Sequence, residues 1–346
     1  MDEMALSEIS LSFYGAEIFI RSTGTVLDML KKDFCYFECP GSPDKKPSIS
    51  ILAQKIQPDF SVIRGRYLFN HFYGEVYGWG ELRYIKYPEA LVIFDNHSKE
   101  GKIFSPQAQL LYHYTYYMII SKVGEILDCR GLHRFHALGV SYSGRTALFS
   151  MPIKGGKTTL GWELMKDSEV QLYSEDTPLV STRGKIYPFP LRFSFRDSAP
   201  PEIPSHCVYQ KEDPVFGKKL LVDLKYFGSR PFASSSLKKP LFIFLSLRSS
   251  LDEPKLRLVG RVHALFFIVY LLVTGKDCPQ RSELFLRLSP SGFWMIGKIF
   301  YMRFRAACRL WKNSCLYYFY MTPKIKRNTE FIKQFLLGES VEDFDC

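Results

Sequence analysis

Two glycines, a lysine and two hydroxyls stand together at Gly155-Gly156-Lys157-Thr158-Thr159, between a run that reads as a strand and one that reads as a helix. No other feature constrains the fold as tightly. A glycine-rich loop at such a join lets the backbone approach phosphate oxygens. It also aims successive N–H groups and the helix N-terminus at negative charge, with a lysine and a hydroxyl beside them. Lys154, Gly155, Gly156, Lys157, Thr158 and Thr159 are therefore the candidate nucleotide-binding residues, with Lys157 on the outer phosphates and Thr158 on magnesium. The pattern implies an α/β fold and ATP as ligand. Met151 occupies the place of the first glycine in G-x-x-x-x-G-K-[ST], so Gly156-Lys157-Thr158 is the matching half.

Around this loop the chain reads as two domains. Residues 1–104 form a β-rich α+β domain: a strand pair turns near Gly15, a helix lies within Thr23 to Phe37, and further strands run over Ile49 to Ala53, Tyr67 to Tyr77 and Ala90 to Phe94. Cys39 to Ser48 is a loop. Ser105-Pro106 opens a long helix to about Asp128 and marks the join to a catalytic domain over 105–346. There, Leu138 to Tyr142 and Arg145 to Phe149 flank a Ser143-Gly144 turn, a helix follows from about Lys157 to Asp167, and Val170 to Tyr173 is a compact apolar strand. A second hairpin joins Leu179 to Ser181 and Ile186 to Tyr187 through Arg183-Gly184. The proline-rich stretch Ser198 to Ser205 is an exposed connection, Leu241 to Leu247 a core strand, and the acidic tail from Glu339 frays.

A magnesium-phosphate site needs a carboxylate near the loop hydroxyl, and transfer to an alcohol needs an acceptor for its proton. Glu175 and Asp176, at the end of the Val170 strand, are the residues that supply both functions. His136 opens the hairpin that leads into the loop, and its near-neutral titration suits proton sharing beside those acids. Lys157, His136, Glu175 and Asp176 are thus the candidate catalytic residues; His133 ranks below His136. A turn or a helix cap is the plain alternative for the acid pair.

The formal net charge of +11 favours acidic partners without choosing among them. Much of it lies near the C-terminus, where Lys298, Arg303, Arg305, Arg309, Lys312, Lys324, Lys326 and Arg327 interleave with Trp294, Phe300, Tyr301, Phe304 and Trp311. A core helix and strand with a solvated basic side is the favoured reading, a membrane-surface or RNA-binding face the other. Nucleic acid is not an expected partner. The run Ala264 to Thr274 is too short to span a bilayer and reads as a buried helix. Eight scattered cysteines form no metal-binding pattern and read as reduced thiols. With no basic, apolar leader at the N-terminus, a cytoplasmic location is expected.

His136-Ala137-Leu138-Gly139-Val140, Gly156-Lys157-Thr158-Thr159-Leu160 and Ser174-Glu175-Asp176-Thr177-Pro178-Leu179 together resemble, in order and approximate spacing, the catalytic domain of HPr serine kinase. Tyr187-Pro188-Phe189-Pro190 extends the likeness to HPr kinase-like proteins, some of which are encoded with peptide-modifying enzymes. The likeness covers about Gly131 to Arg196 closely and the rest to Leu337 in outline. It implies a P-loop kinase core similar to phosphoenolpyruvate carboxykinase, ATP and magnesium as cofactors, a serine hydroxyl of a peptide or small protein as acceptor, and a capacity to form homo-oligomers. On that pattern Glu175 stands where the family has the aspartate of the acceptor hydroxyl, and Asp176 on the acid that supports metal and phosphate. The family's downstream glycine- and arginine-bearing signature has no copy here, which argues against HPr itself as substrate. A sugar or metabolite hydroxyl, and a nucleotide-sensing module that binds a peptide without phosphoryl transfer, are the alternatives.

Overall fold

The computed structural model describes residues 6–338 apart from 42–45, 72–73, 153, 197, 214–216, 229–231, 234–240, 276–277, 279–283 and 285–288. Within the expected Cys39 to Ser48 loop, 42–45 lie outside the described residues, as do Ile153 of the glycine loop and the expected frayed tail. The chain is a mixed α/β protein in two compact units. One comprises Met1–Leu127, Ser194–Tyr226 and Pro279–Met295, the other Asp128–Phe193, Phe227–Cys278 and Ile296–Cys346.

Nine strands form the sheet of the first unit: β1 (Leu6–Phe13), β2 (Ala16–Thr23), β3 (Glu38–Cys39), β4 (Ile49–Gln54), β5 (Arg66–His71), β6 (Gly74–Trp79), β7 (Leu82–Tyr87), β8 (Ala90–Asp95) and β9 (Glu100–Phe104). Their order is β3-β1-β2-β4-β9-β8-β7-β6-β5. Only the β2–β4 and β4–β9 pairs are parallel, and α1 (Gly24–Asp33) lies in the connection between β2 and β4. The strand-forming stretch Tyr67 to Tyr77 falls in two antiparallel strands, β6 starting at Gly74.

The expected join at 104/105 is not where the units divide. The helix α2 (Ala108–Cys129) belongs to the N-terminal unit as far as Leu127. Buried Lys122 ties the helix to the strands before it: its Nζ reaches Asn96 Oδ1 and Glu125 Oε2, each at 2.9 Å, and sits 4.0 Å over the Phe94 ring. The later strands β17 (Val208–Asp213) and β18 (Gly217–Val222) return to the same unit through buried Lys211, whose ammonium sits over the rings of Tyr112, Tyr116 and Tyr117.

The second unit is built on a six-stranded sheet in the order β13-β11-β12-β19-β21-β20. Its members are β11 (Leu138–Tyr142), β12 (Arg145–Ser150), β13 (Gln171–Ser174), β19 (Leu241–Arg248), β20 (Lys255–Leu258) and β21 (Ser314–Met321). A small antiparallel sheet of β10 (Leu132–Arg134), β14 (Leu179–Ser181) and β15 (Ile186–Tyr187) adjoins it in sequence, and β16 (Phe193–Phe195) follows. The β11–β12 turn needs left-handed backbone at both central residues, Ser143 at φ 48 and Gly144 at φ 76, the geometry that matches strand twist.

Alternation along the central strands sends side chains to two covered faces. Ile243 and Leu316 join Ala264, Ile268 and Leu272 of α4 (Arg261–Thr274) and Ala306, Ala307 and Leu310 of α5 (Pro290–Asn313) in one apolar cluster. Phe242, Phe244 and Tyr317 pack on Phe335 of α6 (Ile325–Leu337).

Two expectations for this unit are corrected. Only one stripe of α4 is buried, while Val262 and Phe266 are 67% and 69% exposed, because among the described residues the helix packs on the sheet by one side. Arg303, counted in the solvated basic surface, is buried: its Nε and Nη2 donate to Asp128 Oδ1 and Oδ2 at 3.1 and 2.6 Å. Among the described residues no helix is long and apolar enough to cross a membrane, and the seven described cysteines are free thiols.

Candidate phosphate-binding site

Strand register alone brings the three sequence segments together. β11 runs antiparallel to both β12 and β13, so Leu138 at its start pairs with Phe149 near the end of β12, and Gly139 pairs with Ser174 at the end of β13. His136, the glycine loop and the acid pair therefore leave the sheet at one edge. Backbone bonds lock the arrangement, with Ala137 N–H donating to Asp176 O and Phe135 N–H to Pro178 O, each at 2.9 Å. β19 runs parallel to β12, Ser150 pairing with Leu245, so its last residue, Arg248, extends to the same edge.

The loop closes through Gly155 N–H donating to Pro152 O at 2.8 Å. Lys154 (φ 66) and Gly156 (φ 100) take left-handed backbone, and α3 (Lys157–Met165) starts directly after Gly156. Its first turn contains no acidic residue and no side chain caps it, so its N-terminal N–H groups and the positive end of its dipole are left for an anion. Thr159 is exposed on that turn. Met151 is buried and is not one of the residues at positive φ, so the place of the missing glycine needs no glycine. Instead its side chain supports the loop: a Cβ on Gly155 would lie 2.8 Å from Met151 Cβ. Gly161 lets α3 lie close on β11, where an added Cβ would meet Leu138 Cδ1 at 2.8 Å.

Three of the expected side chains, Lys157, His136 and Thr158, meet around the two expected carboxylates. Lys157 Nζ lies 2.5 Å from Asp176 Oδ1 and 2.5 Å from His136 Nε2, and His136 Nε2 lies 3.1 Å from the same Asp176 oxygen. Thr158 Oγ1 donates to Glu175 Oε1 at 2.6 Å. The loop hydroxyl is thus on Glu175. Burial, then the neighbouring Asp176 charge, raises the Glu175 carboxyl to about 7 against the pull of Lys157, Thr158 and Arg192. Burial would also raise Asp176, but the Lys157 charge and the His136 hydrogen bond outweigh it and hold that carboxyl well below its usual range. Two adjacent acids thereby take different protonation habits.

Arg248 and Arg192 were not anticipated. Arg248 Nε donates to Gly155 O at 3.3 Å, which sets a guanidinium against the loop; buried Arg192 acts electrostatically on Glu175. A usable signal was an arginine closing the apolar strand Leu241–Leu247, since a strand parallel to the one before a phosphate loop ends beside it. His133 is elsewhere: its Nδ1 lies 2.8 Å from Asp128 Oδ1, in the buried Arg303 pair.

Magnesium takes oxygen donors and commonly keeps waters and substrate phosphates as ligands, needing only one or two carboxylates from the protein. Thr158 and the acid pair are a donor set of that kind. Among the described residues no group of three His, Cys, Asp or Glu side chains is placed to hold a metal alone. Comparison with known proteins returned no matching family model and no matching curated protein.

Proposed function

We propose that the chain is an ATP-dependent phosphotransferase that moves the γ-phosphoryl group to a hydroxyl, in the first instance a serine of a peptide or small protein. The observation that carries this reading is the meeting of Lys157, Asp176 and His136, with Thr158 on Glu175, at the strand edge where α3 begins. The serine acceptor rests on the resemblance to HPr kinase-like proteins.

The chemistry follows from positions. The loop N–H groups and Lys157 gather phosphate oxygens, and Arg248 adds a second cation beside them. Lys157 must exchange part of its contact with Asp176 for phosphate. Thr158 and Asp176 would hold magnesium, which when bound supplies charge neutralisation at the phosphates. The acceptor oxygen forms its bond to the γ-phosphorus as the bond to the bridging oxygen of ADP breaks. The acceptor proton goes to Glu175, whose carboxyl titrates near neutrality and so can be ionised before the step and protonated after it. His136 keeps Asp176 and Lys157 oriented.

The test is incubation of the full chain with magnesium and γ-labelled ATP, against a serine peptide library and a metabolite pool. Label on peptide serine, lost in Lys157→Ala and in Asp176→Asn with nucleotide affinity retained in the latter, is the expected result. Label on metabolites only removes the peptide acceptor; nucleotide binding with no transfer to either pool removes the enzyme.

A further inference from the structure

The outward side of α5 does not resemble a solvated helix face. Ala306, Ala307 and Leu310 turn inward to the sheet, and Phe300, Tyr301 and Phe304 turn outward, 51%, 65% and 50% exposed. Next to this aromatic sector Lys298, Arg305, Arg309 and Lys312, spaced by three, four or seven residues, form an exposed stripe. Its neighbour α4 repeats the pattern, burying Ala264, Ile268 and Leu272 and presenting Val262, Phe266 and Tyr270. The two helices are clamped together at both ends: Trp311 Nε1 donates to Arg261 O at 2.9 Å, and Arg303 Nη1 to Leu272 O at 3.4 Å. Neither helix contains an aspartate or glutamate.

We infer that this face of α4 and α5 binds the surface of an anionic lipid bilayer. Its charge selects the occupant. Exposed aromatic rings insert at the depth of the headgroups, and a row of cations beside them, unopposed by any acid on either helix, pairs with lipid phosphates and carboxylates. α4, at 14 residues, is shorter than the roughly 20 needed to span a bilayer, and α5, at 24 residues, is long enough but not apolar enough to cross one, so the inferred contact is with the membrane surface. The reading is independent of the phosphotransferase proposal.

Co-sedimentation of the full chain with vesicles tests it, comparing phosphatidylcholine alone with phosphatidylcholine containing phosphatidylserine. The chain should pellet with the phosphatidylserine vesicles and be released by added salt. Lys298→Glu with Arg305→Glu should weaken the binding at least about tenfold, and Phe300→Ser with Phe304→Ser comparably. Because all four side chains are exposed, circular dichroism and thermal unfolding of these variants should match the parent. Equal pelleting with neutral vesicles, no pelleting, or variants that pellet like the parent would overturn the inference. So would a stable dimer that the aromatic variant dissociates and that ignores vesicles, since a second copy would then cover the face.

Discussion

Replacing Glu175 by Gln separates the effect of burying a carboxyl from the shape of the site, because the amide oxygen can still accept from Thr158. In the folded chain this carboxyl is raised from 4.5 to about 7, and each unit of difference corresponds to about 1.4 kcal/mol. Between those two pH values the native state keeps a proton that the unfolded state has lost, so stability falls as pH rises. The stabilisation is full below about 4.5 and gone above about 7, a loss on the order of 3 kcal/mol. Asp176 acts in another window: it is lowered, so its contribution is present above its ordinary value near 3.8 and is lost only as pH falls below that. Hydrogen exchange of β11 and β13 amides, measured across pH 4.5 to 8 with the intrinsic rate factored out, reads the local unit. The parent should lose protection with rising pH, whereas Glu175→Gln should be nearly flat and at pH 8 the more stable by about 2–3 kcal/mol. Parallel pH profiles, or a variant less stable at pH 8, would refute the claim that this acid is held neutral by its burial and by Asp176.

Two further outcomes test the loop and the support beneath it. Gly155→Ala places a Cβ 2.8 Å from both Met151 Cβ and Pro152 O, so the loop must shift; calorimetric titration with a non-hydrolysable ATP analogue should show affinity lowered at least about tenfold with the fold intact. Arg303→Met leaves buried Asp128 with His133 as its remaining side-chain partner among the described residues, and urea unfolding should show a loss of about 3–5 kcal/mol.

Much of the second unit was legible because its signals are local. Ser143-Gly144 between alternating runs dictates its own turn, and the apolar stretch Leu241 to Leu247 can only be a central strand. The division into units was not legible. Lys122 and Lys211 tie α2 and β17 into the first unit through partners distant in sequence, Phe94 and Asn96 for Lys122 and the tyrosines of α2 for Lys211. A lysine inside an aromatic cage is indistinguishable, in sequence, from a lysine in water. The same limit explains Arg303: its spacing places it on a basic helix, and only tertiary packing turns it from the exposed row to Asp128.

The candidate site shows what order along a chain can carry and what it cannot. Strand, loop and helix in sequence, followed by a strand ending in two acids, suffices to predict convergence, because an antiparallel neighbour of both strands must begin where they end. Which carboxylate meets which partner depends on side-chain reach. Glu175, with one more methylene than aspartate, touches the Thr158 hydroxyl, whereas Asp176 meets Lys157 and His136. That division follows from the physics of an adjacent acid pair. Two adjacent carboxylates, Glu175 buried and Asp176 partly so, cannot both stay charged at low cost, and the one that holds the ammonium keeps its charge. The other is left near neutrality, able to take up a proton and release it again. Met151 fits the same logic at the loop's entrance: no positive φ is required there, so a side chain that packs against the glycines can replace one of them without altering the half of the loop that faces an anion.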